Sequence, residues 1–140
     1  MSFYIDTSVL VAYYCPEPLS DNAEKFLTAH LQPAISGLTE IELFSAVSRK
    51  VREAGISKKD ANRILATFVS HIDSKFYTCI DVQPHHYRLA RDWIGLFRLG
   101  LKSLDAIHLA IASSEGLTIV SADRNLLRSA EALSVNVVFL

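Results

Sequence analysis

Glycine, proline and cysteine are all scarce in this 140-residue chain, at five, four and two residues. Gly37, Gly55, Gly95, Gly100 and Gly116 are scattered, which excludes both the glycine-rich turn that cradles a dinucleotide and the phosphate loop of a P-loop enzyme. Cys15 and Cys79 show no CxxC or His–Cys spacing, which fits reduced thiols rather than a zinc site or a disulfide. No GxSxG elbow and no HExxH pair occurs, removing the usual serine-hydrolase and zinc-protease arrangements. Ser8 stands where a haloacid-type phosphatase needs its second aspartate, and no lysine follows Lys102 to serve a phosphoacceptor receiver. An excess of one charge is missing too. Lys and Arg number 14 against 15 Asp and Glu, so no global positive field drives nucleic-acid binding and any such partner must be held by local patches. The apolar stretch Val9 to Cys15 is too short to span a bilayer and no basic segment precedes it, so a cytoplasmic protein with no membrane partner is expected.

What is present is a core. Half of the residues are hydrophobic and 21% are charged, a balance suited to one compact domain over residues 1–140. A chain of this size buries roughly two-thirds of its unfolded surface and needs no staples.

Short β-prone runs alternate with helical patterns. Phe3-Tyr4-Ile5 reads as a strand, and Thr7 to Tyr14 as a helix that Pro16 and Pro18 terminate. Ser20 to His30 carries Ala23, Phe26 and Leu27 at helical spacing, and Pro33 to Ser36 forms a second strand. Leu38 to Glu53 is an amphipathic helix with an apolar arc of Ile41, Leu43, Phe44, Val47 and Val51, stopped by Gly55. Ser57 and Asp60 resemble a capping box ahead of a buried stripe of Ile64, Leu65, Phe68, Val69 and Ile72. Tyr77 to Ile80 is a third strand, and after Pro84 a helix presents Ala90, Trp93, Ile94 and Phe97 on one face and closes at Gly100. Ser103 caps a helix through Ser114, Leu117 to Val120 is an apolar strand, Asp123 caps a helix through Leu133, and Val135 to Phe139 is the last strand. This alternation predicts an α/β fold, a three-layer α/β/α sandwich with a mostly parallel sheet of about five strands.

In such sheets ligands bind outside the carboxyl ends of the strands. Asp6 follows the first strand, Asp123 follows Leu117–Val120 after Ser121 and Ala122, Asp105 lies in the first turn of its helix and Glu42 in the second turn of its own. Each has a structural alternative. Asp6, Asp105 and Asp123 suit helix N-termini, where a capping carboxylate contributes about 0.5–2 kcal/mol. Glu42 falls with Ser45, Arg49 and Arg52 on a polar stripe, whereas Glu40 falls among Phe44 and Val47, so either glutamate can face the crevice. Asp81, with Pro84 close behind, reads as a turn or cap. His108, three residues after Asp105, reads as a partly buried helix histidine or as a metal or phosphate contact, and His85-His86 as a helix start. If the four acids gather they repel: two like charges ~4 Å apart cost about 4 kcal/mol at an effective dielectric near 20. Hard oxygen donors of this kind suit Mg²⁺ or Mn²⁺, which can activate a water.

Tyr4-Ile5-Asp6-Thr7-Ser8, Leu38-Thr39-Glu40-Ile41-Glu42-Leu43, Leu104-Asp105-Ala106-Ile107-His108-Leu109-Ala110 and Ile119-Val120-Ser121-Ala122-Asp123, in this order, resemble the PIN domain, and within it the VapC-type toxins of toxin–antitoxin pairs. The resemblance covers the whole chain. It implies a metal-dependent endoribonuclease with catalytic Asp6, Glu42, Asp105 and Asp123. Asp6 and Asp105 would be the main ligands of Mg²⁺ or Mn²⁺, Asp123 would complete or orient the shell, and Glu42 would hold a second ion or the attacking water. Ser121 stands where the family commonly has a small hydroxyl residue. The resemblance also implies an RNA substrate, a homodimer and a small VapB-like antitoxin that blocks the acidic groove. Glu40 departs from the pattern as a second acid beside Glu42.

Residues 49–63 hold Arg49, Lys50, Arg52, Lys58, Lys59 and Arg63 against Glu53 and Asp60, and residues 88–102 hold Arg88, Arg91, Arg98 and Lys102 against Asp92. These are either solvated helix faces or basic rims that position an RNA strand through its phosphates. Two other functions fit the residues alone: a non-catalytic protein-interaction module whose acids are caps, and a nuclease of nucleic-acid processing with no toxin role.

Overall fold

The computed structural model describes residues 2–140. Along the chain run β1 (Phe3–Ile5), α1 (Thr7–Tyr14), α2 (Ser20–Ala29), β2 (Ala34–Ser36), α3 (Gly37–Arg52), α4 (Lys58–Asp73), β3 (Thr78–Ile80), α5 (Pro84–Ile94), α6 (Ser103–Ser114), β4 (Thr118–Ser121), α7 (Arg124–Ala132) and β5 (Val137–Phe139). The five strands form one parallel sheet in the order β3-β2-β1-β4-β5. Tyr4 pairs with Ala34 on one side and with Ile119 on the other.

Period-two alternation builds the layers. Ile5, Ile35 and Val120 face a core made with Val9, Leu10, Leu27, Leu43, Val47 and Phe68 of α1 to α4. Tyr4, Ala34 and Ile119, one residue out of phase, face Leu109, Ile111 and Leu126 of α6 and α7. The expected three-layer α/β/α architecture is therefore present.

The order of the strands fixes where a ligand crevice can lie. The chain winds from β1 toward β3 in one direction and then returns to place β4 and β5 on the other side of β1. The reversal falls between β1 and β4, where the connections diverge and leave the strand ends uncovered. Asp6 lies one residue past β1, and Ser121 and Asp123 end and follow β4.

Several expectations are corrected. α5 ends at Ile94 rather than running through Phe97: the Gly95 amide closes the last turn on Arg91, and Phe97 has φ +60°. Phe97 is 92% exposed and shares no buried face with Ala90 and Trp93. Lys102, in extended backbone, occupies the N-cap of α6, so Ser103 is its first helical residue and caps nothing. On α3 the buried positions are Thr39, Leu43 and Val47, while Ile41 is 69% exposed; the buried line follows the i, i+4 row, which leaves Ile41 on the outer side. Val69 of α4 is likewise exposed, while Phe68 of the same expected stripe is buried, together with Ala61. Ser57 accepts the Asp60 amide at 3.0 Å, but the Asp60 carboxylate turns to Arg63, so only half of the capping box forms.

Candidate functional site

Asp6 is the N-cap of α1 and is buried. Its amide donates to the Val120 carbonyl at 2.9 Å, which carries the β1–β4 ladder one residue past the strand end and brings Asp6 beside Ser121. The hydroxyls of Ser8 and Ser121 donate to its Oδ2 at 2.6 and 2.9 Å, and the Ser8 amide donates more weakly at 3.4 Å. Every donor to the Asp6 carboxylate among the described residues falls on that one oxygen, so Oδ1 has no partner there. Ser121 Oγ also accepts the Asp123 amide at 3.0 Å, which links the loop after β4 to Asp6.

Asp123 repeats the arrangement. Its Oδ1 accepts the amides of Asn125 and Leu126 at 2.8 and 3.4 Å as the N-cap of α7, and among the described residues Oδ2 has no partner. For these two residues the capping reading and the site reading are compatible, since a carboxylate has two oxygens and the cap uses one.

Glu42 reaches the same region from α3. Its Oε1 accepts the Thr7 hydroxyl at 2.9 Å and is also bonded to His108 Nε2, while Oε2 has no partner among the described residues. Both partners come from other elements, α1 and α6, and neither from the polar stripe of Ser45, Arg49 and Arg52 on its own helix. Burial alone would raise the Glu42 carboxyl, but the bonds from His108 and Thr7 hold it below its ordinary value.

Asp105 is the exception that defines the site. It lies in the first turn of α6, half-buried, and among the described residues no donor reaches its carboxylate, so it caps nothing. Burial raises it above the usual 3.8, and the charges of Asp6, Asp123 and Glu42 raise it further against a smaller lowering by His108. Three acids from three other elements thus act on Asp105.

Glu40 points elsewhere. It shares a groove with Gly37, Cys79 and Asp81, and its charge acts on the Cys79 thiol. Asp105 and Asp123 also line a cleft of about 380 Å³ with Arg98, Lys102, Asn125 and Arg128. Among the described residues none of these three cations has a carboxylate within 4.0 Å.

Beneath the acids is a buried polar network absent from the sequence reading. Tyr4 Oη lies 2.7 Å from His108 Nδ1, 2.9 Å from Ser36 Oγ and 3.3 Å from Thr39 Oγ1. All four residues are buried. The sequence signal was the polar residue at 36, 39 and 108 on otherwise apolar faces.

His85, His86 and Glu115 form the one group of three or more potential ligands, among the described residues, whose atoms lie within 4.8 Å of one another. His86 Nδ1 accepts the Gln83 amide at 2.9 Å, so in the neutral ring Nε2 carries the proton and donates to Glu115 Oε1 at 3.0 Å. That nitrogen has no lone pair for an ion, and the trio serves as a helix cap braced by Glu115. Asp81, expected as structural, makes no contact with the acidic site and lies in the Glu40 groove. No helix among the described residues is long and apolar enough to cross a membrane.

Comparison with solved structures finds the same fold in toxin–antitoxin proteins. VapBC2 from Rickettsia felis, bound to a DNA fragment from its promoter, is similar with a TM-score of 0.73 at 17% identity, over 100% of this chain and 99% of that one. FitAcB from Neisseria gonorrhoeae gives 0.73 at 18% over 99% and 96%. VapC20 from Mycobacterium tuberculosis, described as a sarcin-ricin loop cleaving toxin, gives 0.69 at 17% over 91% and 95%. No curated protein matches the sequence. The family model for the PIN domain matches residues 3–132, and with nearly all of its length inside that match the chain belongs to the PIN domain family.

Proposed function

We propose that the protein is a divalent-metal-dependent endoribonuclease with catalytic Asp6, Glu42, Asp105 and Asp123, acting in the cytoplasm as the toxin of a VapC-type pair. One observation carries the reading. Among the described residues Asp105 has no hydrogen-bond donor, and it is raised by burial and three neighbouring carboxylates, an arrangement that costs free energy unless a cation resides there.

The donor set fits Mg²⁺ or Mn²⁺. The oxygens that the protein leaves free are Asp6 Oδ1, Asp123 Oδ2 and both of Asp105, all hard donors with no lysine or arginine paired to them among the described residues. Asp6, Asp105 and Asp123 would hold the ion, which when bound supplies charge neutralisation and a water acidified toward neutral pH. Ser8 and Ser121 lock the Asp6 carboxylate in one rotamer. Glu42, kept ionised by His108 and Thr7, offers Oε2 to accept a proton from the attacking water. Arg98, Lys102 and Arg128 line the cleft beside Asp105 and Asp123 and would hold the phosphates flanking the scissile bond, which positions the strand without selecting its bases.

The reading includes a homodimer and a small VapB-like antitoxin. The toxin–antitoxin complexes among the structural neighbours support the antitoxin, and exposed Ile41, Phe44 and Val69 are apolar surface of the kind partners cover. The test is cleavage of purified total RNA in Mg²⁺ or Mn²⁺, with EDTA as control and Asp6→Asn and Asp105→Asn as variants. Cleavage in both ions lost in EDTA and in both folded variants is expected. Equal cleavage by either variant would refute the site.

A further inference from the structure

The proposed metal-binding acids do not explain why a fully buried polar cluster of Tyr4, Ser36, Thr39 and His108 is bonded to Glu42. Tyr4 is 0% exposed and His108 is 1% exposed, and each polar group there is costly unless every donor and acceptor is used. The network satisfies all of them in one direction. His108 Nε2 faces the Glu42 carboxylate, which can only accept, so Nε2 carries a proton. In the neutral ring Nδ1 is then an acceptor, filled by the Tyr4 hydroxyl at 2.7 Å. The phenolic hydroxyl of Tyr4 is a donor as well as an acceptor, and here it donates. Tyr4 Oη in turn accepts from Ser36, whose Oγ is 2.9 Å away, and Thr39 Oγ1 accepts the Ser36 amide at 3.2 Å. The chain Tyr4 → His108 → Glu42 therefore runs from a β1 side chain through α6 to α3, and ends on Oε1 alone.

We infer that His108, with its tautomer set by Tyr4, is a positioning residue that pins Glu42 through Oε1 and so keeps Oε2 free for the reaction. The inference rests on the nuclease reading and deepens it. Thr7 is the second donor to Oε1, from a different direction, and the two donors together fix both the position and the twist of the carboxylate. Without His108 the glutamate keeps only the Thr7 hydroxyl and can rotate, which exchanges the free and the bonded oxygen. The effect falls on the chemical step rather than on RNA binding, because neither Tyr4 nor His108 reaches the surface.

The experiment is a double-mutant cycle on total-RNA cleavage under single-turnover conditions, with folding followed by thermal melts. Misplacement of a catalytic group by about 1 Å costs up to ~10²-fold, so His108→Ala is expected to lower the maximal rate about 10–100-fold with KM within about twofold. His108→Gln, whose amide can still donate to Glu42, should recover most of that loss. In a Glu42→Gln background His108→Ala should cost almost nothing further, since residues acting as one unit are non-additive. A loss as large in that background as in wild type, or a folded His108→Ala protein that cleaves normally while Asp105→Asn is dead, overturns the positioning role and leaves the nuclease reading standing. Cleavage by Asp105→Asn overturns both. Should His108→Ala fail to fold, ¹⁵N-histidine NMR of the wild type decides. A neutral ring protonated at Nε2 that loses this preference in Tyr4→Phe supports the inference, and a ring protonated at Nδ1 alone sinks it.

Discussion

Asp105→Asn should make the metal-free protein more stable while removing its activity. Asparagine has nearly the shape of aspartate and takes no hydrogen bond away, because among the described residues no donor reaches the Asp105 carboxylate. What it removes is a charge raised by burial and by Asp6, Asp123 and Glu42. Two unit charges ~7 Å apart interact by about 0.6 kcal/mol in bulk water and about 2.4 kcal/mol at an effective dielectric of 20. Asp105 is only half-buried, so solvent screening places the summed gain near the lower figure, at about 1 kcal/mol. For a chain of this length that is roughly 2–4 °C in Tm.

The sign with pH follows from the raised carboxyl. Folding favours protonated Asp105, so its contribution is fully present below the unfolded value and is lost as pH rises through the folded one. The advantage of asparagine should accordingly appear at pH 7 in EDTA and vanish as the pH approaches 4. Divalent ions should reverse the ranking: a ligand at ten times its Kd stabilises the wild type by about 1.4 kcal/mol by mass action, and Asp105→Asn should gain much less. Differential scanning fluorimetry at low salt, with EDTA, Mg²⁺ and Mn²⁺, reads all of this. An Asn variant that melts at or below wild type in EDTA at pH 7, or that responds to metal as the wild type does, refutes the reasoning.

Ser121→Ala strips Asp6 of one donor and leaves the Asp123 amide without its acceptor; a loss of about 1–3 kcal/mol and a sharp fall in cleavage are expected, measured by urea denaturation and by RNA cleavage. Asp123→Asn should keep the α7 cap and lose activity, whereas Asp123→Ala should lose activity and about 0.5–2 kcal/mol as well; equal melts for the two would contradict the observed cap. Tyr14→Phe, far from the acids, removes the hydroxyl shared by His71 Nδ1 and Tyr77 Oη at 2.7 Å each, and should cost about 1–3 kcal/mol with cleavage per folded molecule unchanged.

The architecture was legible because its signals are local. Period-two alternation at Tyr4-Ile5, Ala34-Ile35 and Ile119-Val120 separates the two faces of the sheet, and the caps at Asp6 and Asp123 form as their residue types dictate. The misplacements were local too. Spacing places Phe97 on the α5 face, but Gly95 ends the helix first, and the rotation of α3 puts Thr39 inside and Ile41 outside.

The sequence by itself determined which acids follow which strands, and that a parallel sheet would leave them at one rim. Only the tertiary structure decided between Glu40 and Glu42. Residues two apart on a helix are about 200° apart, so periodicity says that they flank the buried Thr39–Leu43–Val47 line on opposite sides but cannot say which side meets α6. Packing of that line against the sheet sets the phase, turning Glu42 to Thr7 and His108 and Glu40 to Cys79. The Tyr4–His108 network needed the same information: its members are 104 positions apart in sequence, and nothing short of the folded core brings a strand hydroxyl under a helix imidazole.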